Sequence, residues 1–380
     1  MSISEITPEQ ARERQHAGAR LIDVREAHER AGGRAEGAEG IAKAELESGT
    51  AALLPDMEAE ILLICQSGAR SRTAAIRLSE QGYRRVSSVV GGTSAWEKAG
   101  LPMTRPALDP ADRDFFERYS RHFRLPGVGV EGQRRLQQAS VLVVGAGGLG
   151  SPAALYLAAS GIGRLRIVDD DRIDRSNLQR QVLHIDADVG RLKVESARTR
   201  LTALNPSLDI EARALRIDSS NVETLLEGID VILDGSDNFP LRYLLNDACI
   251  KLRKPLVYGA IQRFQGQLSV FDAGRHRGRA PCYRCLFPQP PAPEFAPNCA
   301  EAGVFGVLPG IVGSMQAAES IKLILGIGEP LVGRLLQLDV LAMHFREVRL
   351  RPDPDCPVCA PDRAFPGYID YVQFCAGAAV

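Results

Sequence analysis

Four of the eight cysteines form two Cys-x-x-Cys pairs, in PCYRCL and DCPVCA. A two-residue spacer lets both thiolates of a pair reach one ion, so two pairs can complete a tetrahedral zinc site with four cysteine ligands. About 70 residues separate the pairs, and the ion would therefore join two distant segments. Such a site has no open position for catalysis, which indicates structural Zn²⁺ rather than the alternative, a redox dithiol. The predicted ligands are Cys282, Cys285, Cys356 and Cys359.

Another cysteine has the setting of a nucleophile. Cys65 ends the apolar run EILLIC and begins a short loop that leads into the helical pattern RSRTAAIRLSEQG. Backbone N–H groups of such a loop, with the helix N-terminus, would lower the pKa of the thiol and stabilise an anion. Arg70 adds a positive charge at the rim. The alternative is a buried structural cysteine at the end of a strand.

A glycine-rich turn, VLVVGAGGLGSPAALYLAASG, lies between an apolar run and a helical pattern, and three aspartates follow at 169–171. Gly145, Gly147 and Gly150 have the spacing of a dinucleotide fingerprint, in which backbone N–H groups approach phosphate at a helix N-terminus. An NAD-dependent oxidoreductase is therefore one interpretation. The turn alone does not distinguish NAD from another nucleotide.

The residues after the aspartates favour a triphosphate. Asn177, Arg180 and Lys193 could together neutralise it, since arginine supplies forked donors and lysine a point charge. Asp237 follows the apolar run IDVILDG, and a carboxylate near phosphates suits Mg²⁺. The alternative is a solvated helical face, but the combination of residues favours an ATP site.

Short apolar runs alternate with helical patterns along the chain, which predicts an α/β protein. The runs RLIDVRE, EILLICQSG and RVSSVVGG predict a small parallel-sheet domain, and the Pro-rich stretch GLPMTRPALDPADRD predicts a linker. A larger, Rossmann-like domain with a mixed sheet is expected next, with strands at IDVILDG, KPLVYGA, GQLSVFD, RLLQLDV and FREVRLR. The expected divisions are a domain at 1–105, a linker at 106–117, a domain at 118–360 and a tail at 361–380.

Composition restricts the class of protein. Hydrophobic residues make up 45% of the chain and charged residues 24%, which is ordinary for a soluble globular protein. The net charge of −1 gives no electrostatic reason to expect nucleic acid or a membrane surface as partner. The first residues lack the apolar core of a signal peptide, and no apolar run approaches the ~20 residues that span a bilayer. We therefore expect a cytoplasmic protein with reduced cysteines.

The first domain resembles the rhodanese sulfurtransferases over roughly residues 5–102. LIDVRE, with Asp23 and Arg25, matches an early strand of that family, and four residues separate Cys65 from Arg70 as in its active loop. The family carries a persulfide on this cysteine, and the loop is shorter than in related phosphatases, which favours a single sulfur atom as cargo. The segment AGGRAEGAEGI departs from the family pattern.

The larger domain resembles the ubiquitin-activating-like adenylyltransferases, among them the molybdopterin-synthase adenylyltransferase and its thiamine-pathway relative. Matching blocks run in order from residue 118 to 359, including GAGGLGSPAALYLAASGIG, SNLQRQVLH, VGRLKVESA, DGSDN and CAEAGVFGVLPG. The resemblance implies a homodimer that binds ATP and adenylates the C-terminal glycine of a ubiquitin-like sulfur-carrier protein.

The resemblance also implies a role for each matching position. Asp169 would bind the ribose, Arg121 would enter the partner subunit's site, and Cys299 would form a thioester or resolve a disulfide. Cys249 and Cys375 match no functional position and are expected to be structural. The positions implied for ATP binding, of which Arg180 and Asp237 also serve adenylation, are Gly147, Gly148, Asp169, Asp171, Asn177, Arg180, Lys193 and Asp237.

Taken together, the two domains predict a sulfur-activating enzyme. Adenylation would convert the carrier's glycine carboxylate into an acyl-adenylate, and a Cys65 persulfide, loaded by a separate donor, would deliver sulfur to give a thiocarboxylate. Fusion raises the effective concentration of the sulfur donor. Molybdopterin biosynthesis is the expected pathway, with thiamine, tRNA thiolation and secondary metabolism as alternatives. The alternatives of another class are an NAD-dependent oxidoreductase and a scaffold with an inactive rhodanese domain.

Overall fold

The structure is a computed structural model that describes residues 3–105, 110–291 and 303–376. Its contacts divide the chain into two compact units, Met1–Pro126 and Gly127–Val380. Within the described residues, none of the helices combines the length and the apolar character needed to cross a membrane.

The first unit is built on a five-stranded parallel sheet in the order β1-β6-β5-β2-β4, and β3 and β7 form a separate antiparallel pair. The strands are β1 (Ser4–Ile6), β2 (Arg20–Asp23), β3 (Arg34–Ala35), β4 (Glu39–Gly40), β5 (Ile61–Ile64), β6 (Val86–Val89) and β7 (Met103–Thr104). The helices are α1 (Pro8–His16), α2 (Ala27–Ala31), α3 (Lys43–Leu53), α4 (Ala69–Glu80), α5 (Gly92–Lys98) and α6 (Pro110–Arg118), followed by a 3-10 turn (His122–Arg124).

Strand β5 explains how the apolar pattern positions Cys65. All four of its side chains are buried, as expected for a central parallel strand that is covered on both faces. Ile61 and Leu63 belong to one apolar cluster, and Leu62 and Ile64 belong to the cluster on the opposite face that contains Trp96. Cys65 therefore emerges at the carboxyl end of the sheet, directly before the loop that leads into α4.

The second unit contains an eight-stranded sheet in the order β10-β9-β8-β11-β12-β13-β14-β15. The pairs from β10 to β12 are parallel, and those from β12 to β15 are antiparallel. The strands are β8 (Ser140–Val144), β9 (Arg164–Val168), β10 (Asp209–Arg213), β11 (Val231–Asp234), β12 (Leu256–Gln262), β13 (Gln265–Phe271), β14 (Arg334–Asp339) and β15 (His344–Arg349). The expected α/β class, with a small parallel sheet followed by a larger mixed sheet, is confirmed.

Helices cover both faces of this sheet. Side chains from α8, α9 and α13 form the apolar core on one face, and side chains from α10 and α11 form the core on the other. The helices of the unit are α7 (Gly129–Gln138), α8 (Gly150–Ser160), α9 (Lys193–Leu204), α10 (Val222–Leu226), α11 (Phe239–Lys251), α12 (Tyr283–Leu286), α13 (Val307–Leu325) and α14 (Tyr371–Ala376), with 3-10 turns at Arg175–Asn177 and Asp186–Asp188.

Strand register brings three chain segments to one edge of the larger sheet. Val144, the last residue of β8, pairs with Val168 of β9 on one side and with Asp234 of β11 on the other. The residues that follow these strands therefore start side by side. Ligands of open α/β sheets bind outside the carboxyl ends of the strands, where the glycine-rich turn now lies.

The region expected to be a linker contains a helix. Helix α6 begins at Pro110, a favourable residue at the first helical position, and the division between the units falls after Pro126 rather than after residue 117. Phe115 is buried, and its ring packs edge-to-face on Phe116 with centroids 5.3 Å apart. The domain limits of the sequence analysis stay a prediction, but this segment has structure of its own.

Candidate active sites and zinc centre

A cavity of about 1530 Å³ opens at the carboxyl ends of the parallel strands in the second unit. Every residue predicted to bind ATP lines it, and they come from three strand-to-helix connections and from the first residue of α9. The predicted residues in the wall are Gly147, Gly148, Asp169, Asp171, Asn177, Arg180, Lys193 and Asp237.

The glycine-rich turn requires glycine at two positions, because a Cβ atom there would collide with the backbone. Gly145 has φ of +86°, and a Cβ there would lie 2.9 Å from the carbonyl oxygen of Gly235 at the end of the neighbouring strand. A Cβ on Gly150 would lie 1.8 Å from the carbonyl oxygen of Gly145. The turn is thus packed closely against the strand ends, and α8 begins with its free N–H groups at the cavity.

Asp169 and Asp171 have different surroundings. The Asp169 carboxylate accepts hydrogen bonds from the backbone N–H groups of Ala146 and Asp171, both at 2.8 Å. Burial raises the pKa of Asp169, against the opposing effects of Lys193 and these hydrogen bonds. The Asp171 side chain is 67% exposed and pairs with Lys193 at 2.6 Å. Asp169 therefore holds the glycine-rich turn in place, whereas Asp171 holds the lysine.

The basic residues of the site are held by local contacts. The Lys193 side chain is 7% exposed, and its ammonium lies 3.9 Å from the Asp169 carboxylate. Arg180 donates to the carbonyl oxygen of Ser176 at 3.2 Å and to Oδ1 of Asn177 at 3.1 Å. Two cationic groups thus face the cavity from separate elements, as a triphosphate would require.

Asp237 follows β11 and is exposed in the cavity wall. The next residue, Asn238, caps α11 by accepting a hydrogen bond from the N–H of Leu241 at 3.0 Å. The cap fixes the start of the helix and leaves the Asp237 carboxylate in the cavity.

The four paired cysteines meet at one point and form a four-cysteine cluster (Cys282, Cys285, Cys356 and Cys359). Their sulfur atoms lie within 4.8 Å of one another, and three of the separations are 3.8, 3.6 and 3.4 Å. Zn–S bonds of about 2.3 Å in a tetrahedron place sulfurs roughly 3.8 Å apart, so the cluster has the donors and the dimensions that Zn²⁺ requires. Residues 74 apart in sequence would share the ion, as the spacing predicted.

Cys65 is buried at the base of its loop. Burial by itself would raise the pKa of the Cys65 thiol, but hydrogen bonds from the Ser71 hydroxyl and from the N–H groups of Ser71, Ser67 and Gly68 outweigh it and lower the pKa. The Gly68 N–H lies 3.2 Å from the sulfur, and the Ser71 hydroxyl lies 3.5 Å from it. These contacts favour a thiolate.

Arg70 is held at the rim of this loop by an acid that the sequence analysis did not identify. Its guanidinium donates to both carboxylate oxygens of Glu29, each at 2.7 Å, and Glu29 also pairs with Arg124 at 3.4 Å. Burial opposes ionisation of Glu29, but the hydrogen bonds from Arg70 and from the Glu26 N–H, with the charges of both arginines, prevail and lower the pKa of Glu29 to about 2. Asp23 and Arg25 form a separate buried ion pair at 2.7 Å.

Arg121 and three further cysteines are the remaining residues that the sequence analysis named. Arg121 is exposed, immediately before the 3-10 turn, and belongs to the first unit. Cys299 lies outside the described residues. Cys249 is buried in α11, where burial raises the pKa of its thiol, and Cys375 is half-buried in α14, where burial raises the pKa to about 11. High thiol pKa values agree with the structural role expected for both.

His184 and Arg242 support the cavity and were not identified from the sequence. His184, in the block SNLQRQVLH, places Nε2 3.0 Å from the carbonyl oxygen of Ala146 and Nδ1 3.0 Å from the Ser196 hydroxyl. The N–H of Ala146 donates to Asp169 and its carbonyl oxygen contacts His184, so the backbone of Ala146 is held on both sides. Arg242 donates to the carbonyl oxygen of Ser236 at 3.1 Å and is almost fully buried. Only the position of His184 within a matching block could have drawn attention to it.

Comparisons with known proteins match two different parts of the chain. The profile of the ThiF family matches residues 119–358, and that of the rhodanese-like domain matches residues 7–99. The chain is 52% identical over 264 residues to the sulfur carrier protein adenylyltransferase of Thermus thermophilus, which covers 69% of this chain and 97% of that protein. It is 49% identical over 277 residues to the probable adenylyltransferase/sulfurtransferase MoeZ of Mycobacterium tuberculosis, which covers 72% of this chain and 69% of that protein.

Among solved structures, E. coli MccB matches with a TM-score of 0.55 at 22% identity, over 74% of this chain and 87% of MccB, a likeness that concerns the fold. The profile matches and the two relatives carry the classification. The chain belongs to the ThiF family, has a rhodanese-like domain ahead of that region, and is an enzyme of the adenylyltransferase class with a fused sulfurtransferase domain.

Proposed function

We propose that this enzyme uses ATP to adenylate the C-terminal glycine of a ubiquitin-like sulfur-carrier protein and then transfers sulfur from a Cys65 persulfide to it. The product is a carrier with a C-terminal thiocarboxylate. One observation carries the proposal: residues from three strand-to-helix connections and the start of α9 converge on a single cavity, with two cations and an exposed carboxylate, in a chain that also holds an activated cysteine. The name of the Thermus relative supports the same substrate class.

In the first step the glycine carboxylate attacks the α-phosphorus of ATP, and pyrophosphate leaves. Arg180 and Lys193 stabilise the charge that develops on the phosphates, and the N–H groups at the start of α8 contribute through Gly147 and Gly148. Asp169 binds the ribose, and Asn177 orients Arg180. Asp237 would hold Mg²⁺, which would offset the negative charge of the triphosphate.

In the second step the terminal sulfur of the Cys65 persulfide attacks the acyl carbon, and AMP leaves. The carrier is then joined to Cys65 through an acyl disulfide. A second thiol attacks the Cys65 sulfur and releases the thiocarboxylate, which leaves a protein disulfide for a cellular thiol to reduce. Cys299 is the candidate for this second thiol or for a thioester intermediate.

Arg121 completes the site of the partner subunit in a homodimer. Zn²⁺ at Cys282, Cys285, Cys356 and Cys359 has a structural role, because four protein ligands leave no position for a substrate. We assign the enzyme to molybdopterin biosynthesis, with thiamine, tRNA thiolation and secondary-metabolite pathways as the alternatives. Measuring which glycine-ended carriers from the same cell trigger ATP–pyrophosphate exchange decides among them.

The two steps are tested by separating them. Asp237→Ala is expected to abolish carrier-dependent ATP–pyrophosphate exchange, because it removes the carboxylate that would hold Mg²⁺. Cys65→Ala is expected to keep that exchange and to lose sulfur transfer from thiosulfate or another donor. Normal exchange by the Asp237 variant would refute our assignment of the adenylation centre.

A further inference from the structure

The C-terminal segment (residues 361–376) follows the last metal-site cysteine and lies beyond the residues that match the ThiF profile. Its residues 368–372 line the same cavity as Lys193 and Asp237. Ile369 and Val372 are 43% and 64% exposed, which leaves apolar side chains uncovered beside the cavity. A substrate in the cavity would cover this surface.

The segment is fixed to α11 by polar and aromatic contacts. The Tyr371 hydroxyl donates to Asp247 at 2.8 Å, and Tyr371 is 6% exposed. The Phe374 ring packs edge-to-face on Tyr243 with centroids 5.2 Å apart. The Lys251 ammonium lies 5.5 and 5.2 Å from the ring centroids of Phe365 and Tyr368. Removing one hydroxyl would therefore loosen the segment without removing its apolar packing.

Asp247 also connects the segment to the four-cysteine cluster. Its carboxylate accepts two hydrogen bonds from Arg284, at 2.9 and 2.8 Å, and Arg284 lies between Cys282 and Cys285 in the chain. The Arg284 guanidinium is 5.1 Å from the Phe374 ring centroid. Both members of the Arg284–Asp247 pair are almost fully buried, and the pair joins the backbone around the two cysteines to α11.

We propose that the C-terminal segment is a wall of the substrate site, which the four-cysteine cluster holds in place through Arg284 and Asp247, and that it shields the acyl-adenylate from water. Water that attacks the acyl carbon regenerates the carboxylate and releases AMP, so ATP is consumed without product. A wall that excludes water favours attack by sulfur instead. The identity of the shielded intermediate rests on the proposed function, but the position of the wall does not.

Hydrogen exchange followed by mass spectrometry on the full-length, zinc-loaded protein tests the wall directly. MgATP is expected to slow exchange in peptides that cover residues 368–372. Tyr371→Phe is expected to speed exchange across 361–376 while the zinc content stays as in the wild type. Tyr156→Phe, at an exposed tyrosine of α8, is the matched control and is expected to change neither. Unchanged exchange on adding MgATP, or in the Tyr371 variant, overturns the proposal.

The shielding role is tested with the carrier that supports pyrophosphate exchange. Tyr371→Phe is expected to raise the amount of AMP formed per thiocarboxylate severalfold, and an unchanged ratio overturns the shielding role. If no carrier supports exchange in the wild type, the proposed function fails, and the MgATP protection still decides whether the segment is a wall.

The connection to the metal is tested by Arg284→Gln, which keeps all four cysteines. Exchange in 361–376 is expected to accelerate severalfold while exchange in the glycine-rich turn at 145–150 stays unchanged, and zinc analysis checks that the ion is retained. Equal exchange in the variant and the wild type, with zinc bound in both, overturns the link between the cluster and the wall.

Discussion

The Cys65 loop and the glycine-rich turn share a local architecture but differ in what surrounds them. Each follows the buried carboxyl end of a parallel strand and leads into a helix, and each contains a glycine with positive φ, Gly68 at +94° and Gly145 at +86°. In the first, the N–H groups converge on a sulfur of the loop itself. In the second, the turn faces a cavity of about 1530 Å³ lined by side chains from other strands.

The comparison shows that an anion-binding turn favours a negatively charged group but does not determine how large that group can be. Around Cys65 the binding groups close on one atom, which suits a thiolate or a single added sulfur. At Gly145 the neighbouring loops carry Lys193, Arg180 and Asp237, which extends the site to the dimensions of a nucleotide. The size of the bound group is therefore set by the residues that the sheet places beside the turn rather than by the turn itself.

Of the changes that compare the Cys65 loop with the cavity, a substitution at Lys193 is expected to have the largest effect. Lys193→Ala removes a buried cation from the cavity and should lower carrier-dependent ATP–pyrophosphate exchange by on the order of 100-fold. Sulfur transfer from thiosulfate to cyanide should not change, since that reaction needs only the Cys65 loop. Lys254→Ala, at a lysine outside the cavity wall, is the control. A parallel loss of both activities in the Lys193 variant would contradict the separation of the sites.

A smaller effect is expected at the sulfur site. Ser71→Ala removes a hydrogen bond that lowers the pKa of Cys65, so the thiolate forms only at higher pH. Alkylation of Cys65, followed by mass spectrometry of its peptide, should slow severalfold at neutral pH, with the midpoint of the pH profile raised by about one unit. Ser67→Ala is the matched control, because Ser67 acts through its backbone N–H. Identical profiles for Ser71→Ala and the wild type would contradict the role of the hydroxyl.

The smallest expected effect concerns the acid at the rim of the Cys65 loop. The pKa of Glu29 is about 2, below its ordinary value of 4.5, so its ion pairs stabilise the fold above pH 4.5 and lose this effect as the pH falls toward 2. Glu29→Gln should lower the melting temperature by a few degrees at pH 7, and the difference from the wild type should shrink below pH 4.5. Calorimetry at several pH values measures this. A difference that grows on acidification would contradict the assignment.

Residues at strand ends were the easiest to predict from the sequence. Gly147, Asp169 and Asp237 directly follow apolar runs, and parallel strands bring such residues to one edge. The four-cysteine cluster was also predictable, because the two-residue spacer of each Cys-x-x-Cys pair is itself the signal that both thiolates can reach one ion. The Tyr371–Asp247 contact was not, since it joins residues 124 apart with no shared pattern. The start of helix α6 was missed because the prolines around residue 106 concealed a helix that Pro110 begins.

The outermost strands of the eight-stranded sheet limit how a second copy could join this one. In the described part of the chain, β10 and β15 each pair on one side only, and they contain Asp209, Glu211 and Arg213 in β10 and Arg346, Glu347 and Arg349 in β15. Charged side chains on an edge strand oppose the formation of a continuous sheet between molecules, because strand pairing would bring the charges together and desolvate them. Strand pairing at these two edges is therefore disfavoured between copies of this chain, so a dimer would join through other surfaces of the molecule.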